Sequence, residues 1–161
     1  LEEAVVDMLK EQEMTLSLAE SCTGGAIAAR IVNVSGASEV FLQGMVTYSN
    51  KAKRRCLDVS KSTLKKHGAV SEECAAEMAK GGRKASKTDI CLSVTGIAGP
   101  GGGTKEKPVG TVFMGCSYKG CTQVREFHFQ GNRARVREQT VAHGLAFLRD
   151  CMMERADKQE K

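Results

Sequence analysis

The sequence predicts an α/β domain, and three stretches carry that prediction. The first is an apolar run at Thr15–Ala19 that passes through a polar, glycine-containing turn into helical spacing at Ala26, Ile27, Ala29 and Ile31. The second is Asp89–Val94, a near-continuous apolar strand of the kind buried on both faces, followed at once by the glycine-dense run Thr95–Thr104. The third is a pair of β-type runs, Val109–Tyr118 and Cys121–Phe129, whose link at Lys119-Gly120 predicts an antiparallel hairpin. At 161 residues the chain fits one domain, 1–161, long enough to bury a core.

The remaining elements follow in order. Ala4, Val5, Met8 and Leu9 mark one face of a helix over Glu2–Gln12. After the first strand and its helix, Val34–Ser38 reads as a loop. Val40–Tyr48 is a strand interrupted at Gly44, leading into Tyr48-Ser49-Asn50-Lys51. Ser60 opens a short helix that ends at His67-Gly68, and Ser71 opens another whose Ala75, Ala76, Met78 and Ala79 give a small-residue face. Gly81-Gly82 is expected to weaken the end of that helix. Gly131-Asn132 precedes a final helix from about Arg133 to Arg155, with Val136, Val141, Leu145, Leu148 and Met152 as its core stripe. The tail, 154–161, is expected to fray.

Composition narrows the function. No run approaches the roughly 18 apolar residues of a membrane span, and the first residues are acidic rather than a basic leader, so a soluble cytoplasmic protein is expected. Seven scattered cysteines, with no C-x-x-C pair and no histidine at zinc-finger spacing, argue against a disulfide framework or a metal site. Cys22 is the one to watch, because a helix start lowers a thiol pKa. The net charge of +5 suits a small anionic ligand. No helix-turn-helix or RNP-like strand accompanies the basic residues, so the run Lys51-Ala52-Lys53-Arg54-Arg55 reads as a solvated face and no nucleic-acid partner is expected.

The chemistry gathers at strand ends, where ligands of open α/β sheets sit. Ser21 follows the first strand, Tyr48 and Lys51 the second, and Thr95 the buried one. A serine needs a base to act as a nucleophile. His67, His128 and His143 all lie away from these ends, which leaves a lysine of lowered pKa, and Lys51 fits by position. The glycines after Thr95 suggest a backbone wrapped against a ligand. Arg133, Arg135 and Arg137 crowd a helix start whose dipole disfavours cations, a hint of anion binding, although for any one of the three a solvated arginine face is the better account.

The runs AESCTGG (Ala19–Gly25), YSNKAK (Tyr48–Lys53), GAVSEE (Gly68–Glu73), TGIAGPGGGTKEKPVGTV (Thr95–Val112) and GNRARVREQTV (Gly131–Val141) together resemble the CinA C-terminal domain family over about Glu3–Met152. That resemblance implies a three-layer α/β/α sandwich with a mixed, mostly parallel sheet and an antiparallel hairpin. It also implies hydrolysis of nicotinamide mononucleotide to nicotinate mononucleotide and ammonia in pyridine nucleotide salvage, with no metal and no cofactor, in a homo-oligomer. The implied catalytic residues are Ser21 as nucleophile and Lys51 as its base, with Tyr48 and Thr95 completing the site. Cys22, Thr23, Gly24 and Gly96 fall where an oxyanion would be held. Gly99, Gly101, Gly102 and one of Arg133 or Arg137 fall where a 5'-phosphate would be held. Two departures bear on the transfer. Many such proteins carry a preceding molybdopterin-binding-like domain, so its pyrophosphatase activity is not expected here. The family's G-D-R reads Gly131-Asn132-Arg133, which keeps a helix cap while weakening phosphate affinity if the acid orients an arginine. Two other functions share the site: a non-catalytic nucleotide-binding or competence-related module, and a hydrolase of another amide.

Overall fold

The computed structural model describes residues 1–161. In chain order the elements are α1 (Glu2–Glu11), β1 (Leu16–Glu20), α2 (Ala26–Val32), a 3₁₀ turn (Ala37–Glu39), β2 (Phe41–Val46), α3 (Asn50–Leu57), α4 (Lys61–His67), α5 (Glu72–Ser86), β3 (Ile90–Gly96), β4 (Thr111–Tyr118), β5 (Cys121–His128) and α6 (Arg133–Gln159). The five strands form one sheet in the order β2-β1-β3-β4-β5. β1 runs parallel to both β2 and β3, whereas β3–β4 and β4–β5 are antiparallel. This is the mixed α/β architecture the sequence predicts. Parallel neighbours need crossovers, and the helices between β1, β2 and β3 supply them.

Helices cover both faces. α1, α2 and α6 pack on one side, and α5 lies across β1, β3 and β4 on the other, with α3 and α4 against it. The period-two alternation of the strands divides their side chains accordingly. Leu16 and Leu18 of β1, Ile90, Leu92 and Val94 of β3, and Val112 and Met114 of β4 join α1, α2 and α6 in one large apolar core. Ala19 and Cys91 join α3 and α5 in a smaller one with Leu57, Val59, Cys74 and Met78. On that second face Ser93 Oγ donates to the Ala75 carbonyl at 2.6 Å, so α5 rides close to the sheet.

The close approach explains one departure from the sequence reading. Gly81-Gly82 does not interrupt α5, which runs unbroken to Ser86. A Cβ on Gly81 would collide with the Leu57 carbonyl, and one on Gly82 would lie 2.6 Å from Cys91 Sγ. The glycines are contact points between α5 and its neighbours, and packing outweighs a propensity cost of about 1 kcal/mol each. The final helix also outlasts its predicted end by one turn, to Gln159. No helix is long and apolar enough to cross a membrane.

Candidate active site

Three strand ends are laced together by backbone hydrogen bonds. Ser21 N donates to Val94 O at 3.1 Å, and Thr47 N donates to Glu20 O at 2.8 Å, so the residues after β1, β2 and β3 share one rim. The chain turns from β1 into α2 through Ser21–Gly25, with Gly24 at φ 61° and Gly25 at φ 97°, left-handed values that glycine adopts without strain. The buried Glu20 carboxylate accepts from Thr23 Oγ1 (2.6 Å) and from the backbone N–H groups of Ile27 and Ala28 (3.0 Å each), which caps α2 where Ser21 and Thr23 do not. The hydroxyl of Ser21 is thereby left for other work.

That hydroxyl accepts a hydrogen bond from Lys53 Nζ at 2.9 Å, and the same ammonium donates to Thr47 O at 2.8 Å. Lys53 is only 1 % exposed. No carboxylate lies within ion-pair distance of it, and burial lowers its pKa below the ordinary lysine value. Ser49 Oγ accepts from Ala52 N and starts α3 at Asn50, which puts Lys53 and Leu57 one turn apart on the inward face.

The cleft over this pair has a volume of about 270 Å³. Its walls are Ser21 and Cys22, Tyr48 with Asn50, the Ala69-Val70 connection before α5, and the run from Thr95 to Gly99 with Gly101 and Gly102. Thr95 Oγ1 donates to Ala69 O at 2.9 Å and holds two of these walls together. Arg133, exposed at the first position of α6, reaches across the mouth. Its Nη1 donates to Gly99 O at 2.8 Å and its Nη2 to Tyr48 Oη at 3.1 Å. No cluster of His, Cys, Asp and Glu side chains could hold a metal ion.

Most of the predicted strand-end set therefore comes together: Ser21, Cys22, Tyr48, Thr95, Gly96, Gly99, Gly101, Gly102 and Arg133 all line the cleft. Lys51 does not. It is exposed on the outer side of α3, beside Arg54, Arg55, Asp58 and Lys61 in a separate surface groove. The lysine that meets Ser21 is Lys53, two residues on, because a helix beginning at Asn50 turns residue 53 inward and residue 51 outward. The signal was present in Ser49 as a cap and in the i, i+4 relation of Lys53 to the apolar Leu57, but the run of basic residues read as a solvated face. Asn50, also on the cleft wall, was missed with it.

Three other expectations change. The Cys22 thiol is pushed up to about 11 by burial, the reverse of the lowering expected at a helix start. Thr23 is fully buried with its hydroxyl on Glu20, and Gly24, though exposed, is not on the cleft wall. Arg137 also lies outside the cleft: its Nε donates to Cys22 O and its Nη2 to Thr23 O, both at 3.0 Å.

Comparison with known proteins agrees with this architecture. CinA-like proteins of Citrifermentans bemidjiense and Kosmotoga olearia are 54% and 51% identical to the chain over 148 and 153 residues, 92% and 95% of its length. The chain spans only 36% and 37% of those two proteins. The crystal structure of the competence/damage inducible protein CihA from Agrobacterium tumefaciens superposes with a TM-score of 0.88 at 39% identity, covering 91% of this chain and 92% of that one. A competence-damaged protein (CinA) superfamily structure from Klebsiella pneumoniae gives 0.91 at 34% identity, covering 95% and 96%. The CinA C-terminal domain model matches residues 1–152, and the chain belongs to the CinA C-terminal domain family.

Proposed function

We propose that the chain is a serine amidohydrolase that converts nicotinamide mononucleotide to nicotinate mononucleotide and ammonia, and so returns a pyridine nucleotide to salvage. The observation that carries this reading is the buried Lys53–Ser21 hydrogen bond of 2.9 Å. A buried lysine without an acidic partner gives up its proton more readily than an exposed one, and a neutral amine on a serine hydroxyl is a general base in place. The clustered walls of glycine and threonine, and a guanidinium at the mouth, suit a small ligand with an anionic end.

In the proposed reaction Ser21 Oγ adds to the carboxamide carbon as its proton passes to Lys53 Nζ. The oxyanion is held at the Ser21 turn by the backbone N–H of Cys22, which lies on the cleft wall and has no acceptor within the protein. The C–N bond then breaks, Lys53 returns the proton to the departing nitrogen, and ammonia leaves. Water, deprotonated by the same amine, attacks the acyl-serine and releases the carboxylate. Arg133 commits only two of its five N–H donors to Gly99 and Tyr48, which leaves donors for the 5'-phosphate.

The test is ammonia release from nicotinamide mononucleotide by the purified protein and by Ser21→Ala, each with and without EDTA. Release that persists in chelator and drops by more than about 10³-fold in the variant is the expected result. Full activity in Ser21→Ala would overturn the serine route. Binding of the nucleotide with no release in the parent protein would make the chain a binding module.

A further inference from the structure

We propose that the groove between α5 and the β4–β5 hairpin is a second anion site, separate from the cleft, that binds a phosphate group through Arg83, Lys80 and the paired hydroxyls of Ser117 and Thr122. The groove has a volume of about 380 Å³, and none of its lining residues is shared with the cleft. Its floor comes from the sheet. Ser17, Cys91, Ser117 and Thr122 are register partners across the adjacent strands β1, β3, β4 and β5, and so form one polar row on the face that α5 covers. At the inner end Ser17 Oγ is satisfied by Thr88 Oγ1 at 2.7 Å. At the outer end Thr122 Oγ1 donates to Ser117 Oγ at 3.1 Å. These two hydroxyls use one proton between them, and the other, on the buried Ser117, has no acceptor in the protein.

Two cations of α5 meet that end of the row. Lys80 and Arg83 are three residues apart and share a helix face. Arg83 stands close enough to the sheet for its charge to act on the Cys91 thiol. Its Nε is buried with no hydrogen-bond partner, and the arginine ion pairs of the molecule belong to Arg30, Arg125 and Arg149 instead. Lys80 is exposed and likewise unpaired, since Lys10 alone among the lysines has a carboxylate partner. A buried donor without an acceptor is costly, and an oxyanion in the groove removes that cost. The lining holds no carboxylate, so the groove selects against cations. Two positive charges balance a phosphate dianion, whereas a carboxylate would leave one of them uncompensated. The guanidinium fork suits two phosphate oxygens, which leaves the ammonium and the Ser117 hydroxyl for a third. The volume also admits an organic group attached to the phosphate.

Calorimetric titration with inorganic phosphate, at constant ionic strength and about pH 8 where phosphate is a dianion, tests the site. The protein titrated is the Arg133→Gln variant, so that the cleft mouth supplies no competing phosphate site. Saturable binding is expected, weakened about 10-fold or more by adding Arg83→Gln or Lys80→Gln, and less by Arg83→Lys, which keeps the charge and loses the fork. Lys80 lies on the surface, so Lys80→Gln keeps the test decisive if Arg83→Gln fails to fold. Melting temperatures give a second reading: replacing chloride by phosphate should raise that of Arg133→Gln by more than that of the double variants, the general salt effect being common to all. Glycerol 3-phosphate, titrated beside inorganic phosphate, identifies the source. Tighter binding of the ester supports a site for a phosphorylated metabolite, and equal or weaker binding supports a site for the free ion. No saturable binding of either, or affinities that Arg83→Gln and Lys80→Gln leave unchanged, would overturn the proposal.

Discussion

The two faces of the sheet are packed by different means. Toward α1, α2 and α6 the strands present Leu16, Leu18, Leu92, Val94 and Met114, large side chains that fill a continuous core. Toward α5 they present Ser17, Ser93, Gly115 and Ser117, all buried or closely covered, and α5 answers with Ala75, Ala79 and Gly82. The first face draws its stability from apolar area removed from water. The second has only a smaller apolar cluster around Leu57 and Met78, and adds to it close backbone approach and satisfied polar groups. Lys53 belongs to the second face, and the difference shows why a charged side chain can be buried there: carbonyl and hydroxyl oxygens lie within reach, as Thr47 O and Ser21 Oγ do.

The largest expected effect comes from removing that charge. Lys53→Met should lower turnover by roughly 10³-fold, since a positioned base contributes about 10² to 10⁴. The fold should survive, because replacing an unpaired buried cation by an apolar chain of similar length tends to stabilise. A pH series checks the cause. Burial holds the folded pKa of Lys53 below its unfolded value, so between the two values the unfolded chain binds more protons. Stability contributed by this site therefore rises with pH through that window, up to the ordinary lysine range near ~10.4, and is lost as pH falls through the folded pKa. Denaturant titrations across the alkaline range should show this rise in the parent and a flatter profile in Lys53→Met. If both profiles coincide, the ammonium is not desolvated as described.

On the apolar face, Leu148→Ala removes a fully buried side chain of α6 and should cost about 2–5 kcal/mol in denaturant titration, while each folded molecule keeps its turnover. On the polar face, Gly115→Ala should cost about 1–3 kcal/mol by a different route. Its added methyl would collide with the Ala75 carbonyl and lie 2.6 Å from Ser93 Oγ, so α5 must move away from the sheet. A stable Gly115→Ala protein would mean that α5 rides higher than these contacts require. Smallest of all is Lys51→Met. With its side chain in solvent, it should change stability by no more than about 0.5 kcal/mol and turnover hardly at all, which sets the two lysines of the run apart.

Much of the architecture was legible because each element carries its own period and punctuation. Ser60, Ser71 and Asn132 cap the helices they were read as starting, each accepting from the N–H three residues on, and the hairpin turns at Lys119-Gly120. Strand-end position in the sequence points Ser21, Tyr48 and Thr95 to one rim, and all three line the cleft. Lys53 failed because nearness to the strand end favours Lys51 and no helix was read over 50–57: in a helix each residue turns by about 100°, which carries residue 53 inward and residue 51 outward. Cys22 failed because a helix start and full burial act on a thiol in opposite directions, and sequence does not report which is larger. Arg137 lies outside local reading altogether. Its partners are more than a hundred residues away in the chain, and only the folded turn exposes the carbonyls it takes.

The order of synthesis gives the sheet a further property. β3, which carries Thr95, and its neighbour β4 are covered in part by α6, which follows every strand. A nascent chain thus presents Leu92 and Met114, which lie beside Gly144 of α6, to solvent or chaperone until α6 has left the ribosome. Arg133 and Arg137 arrive on that same helix, so the mouth of the cleft and the grip on its serine turn form only when the last core layer docks.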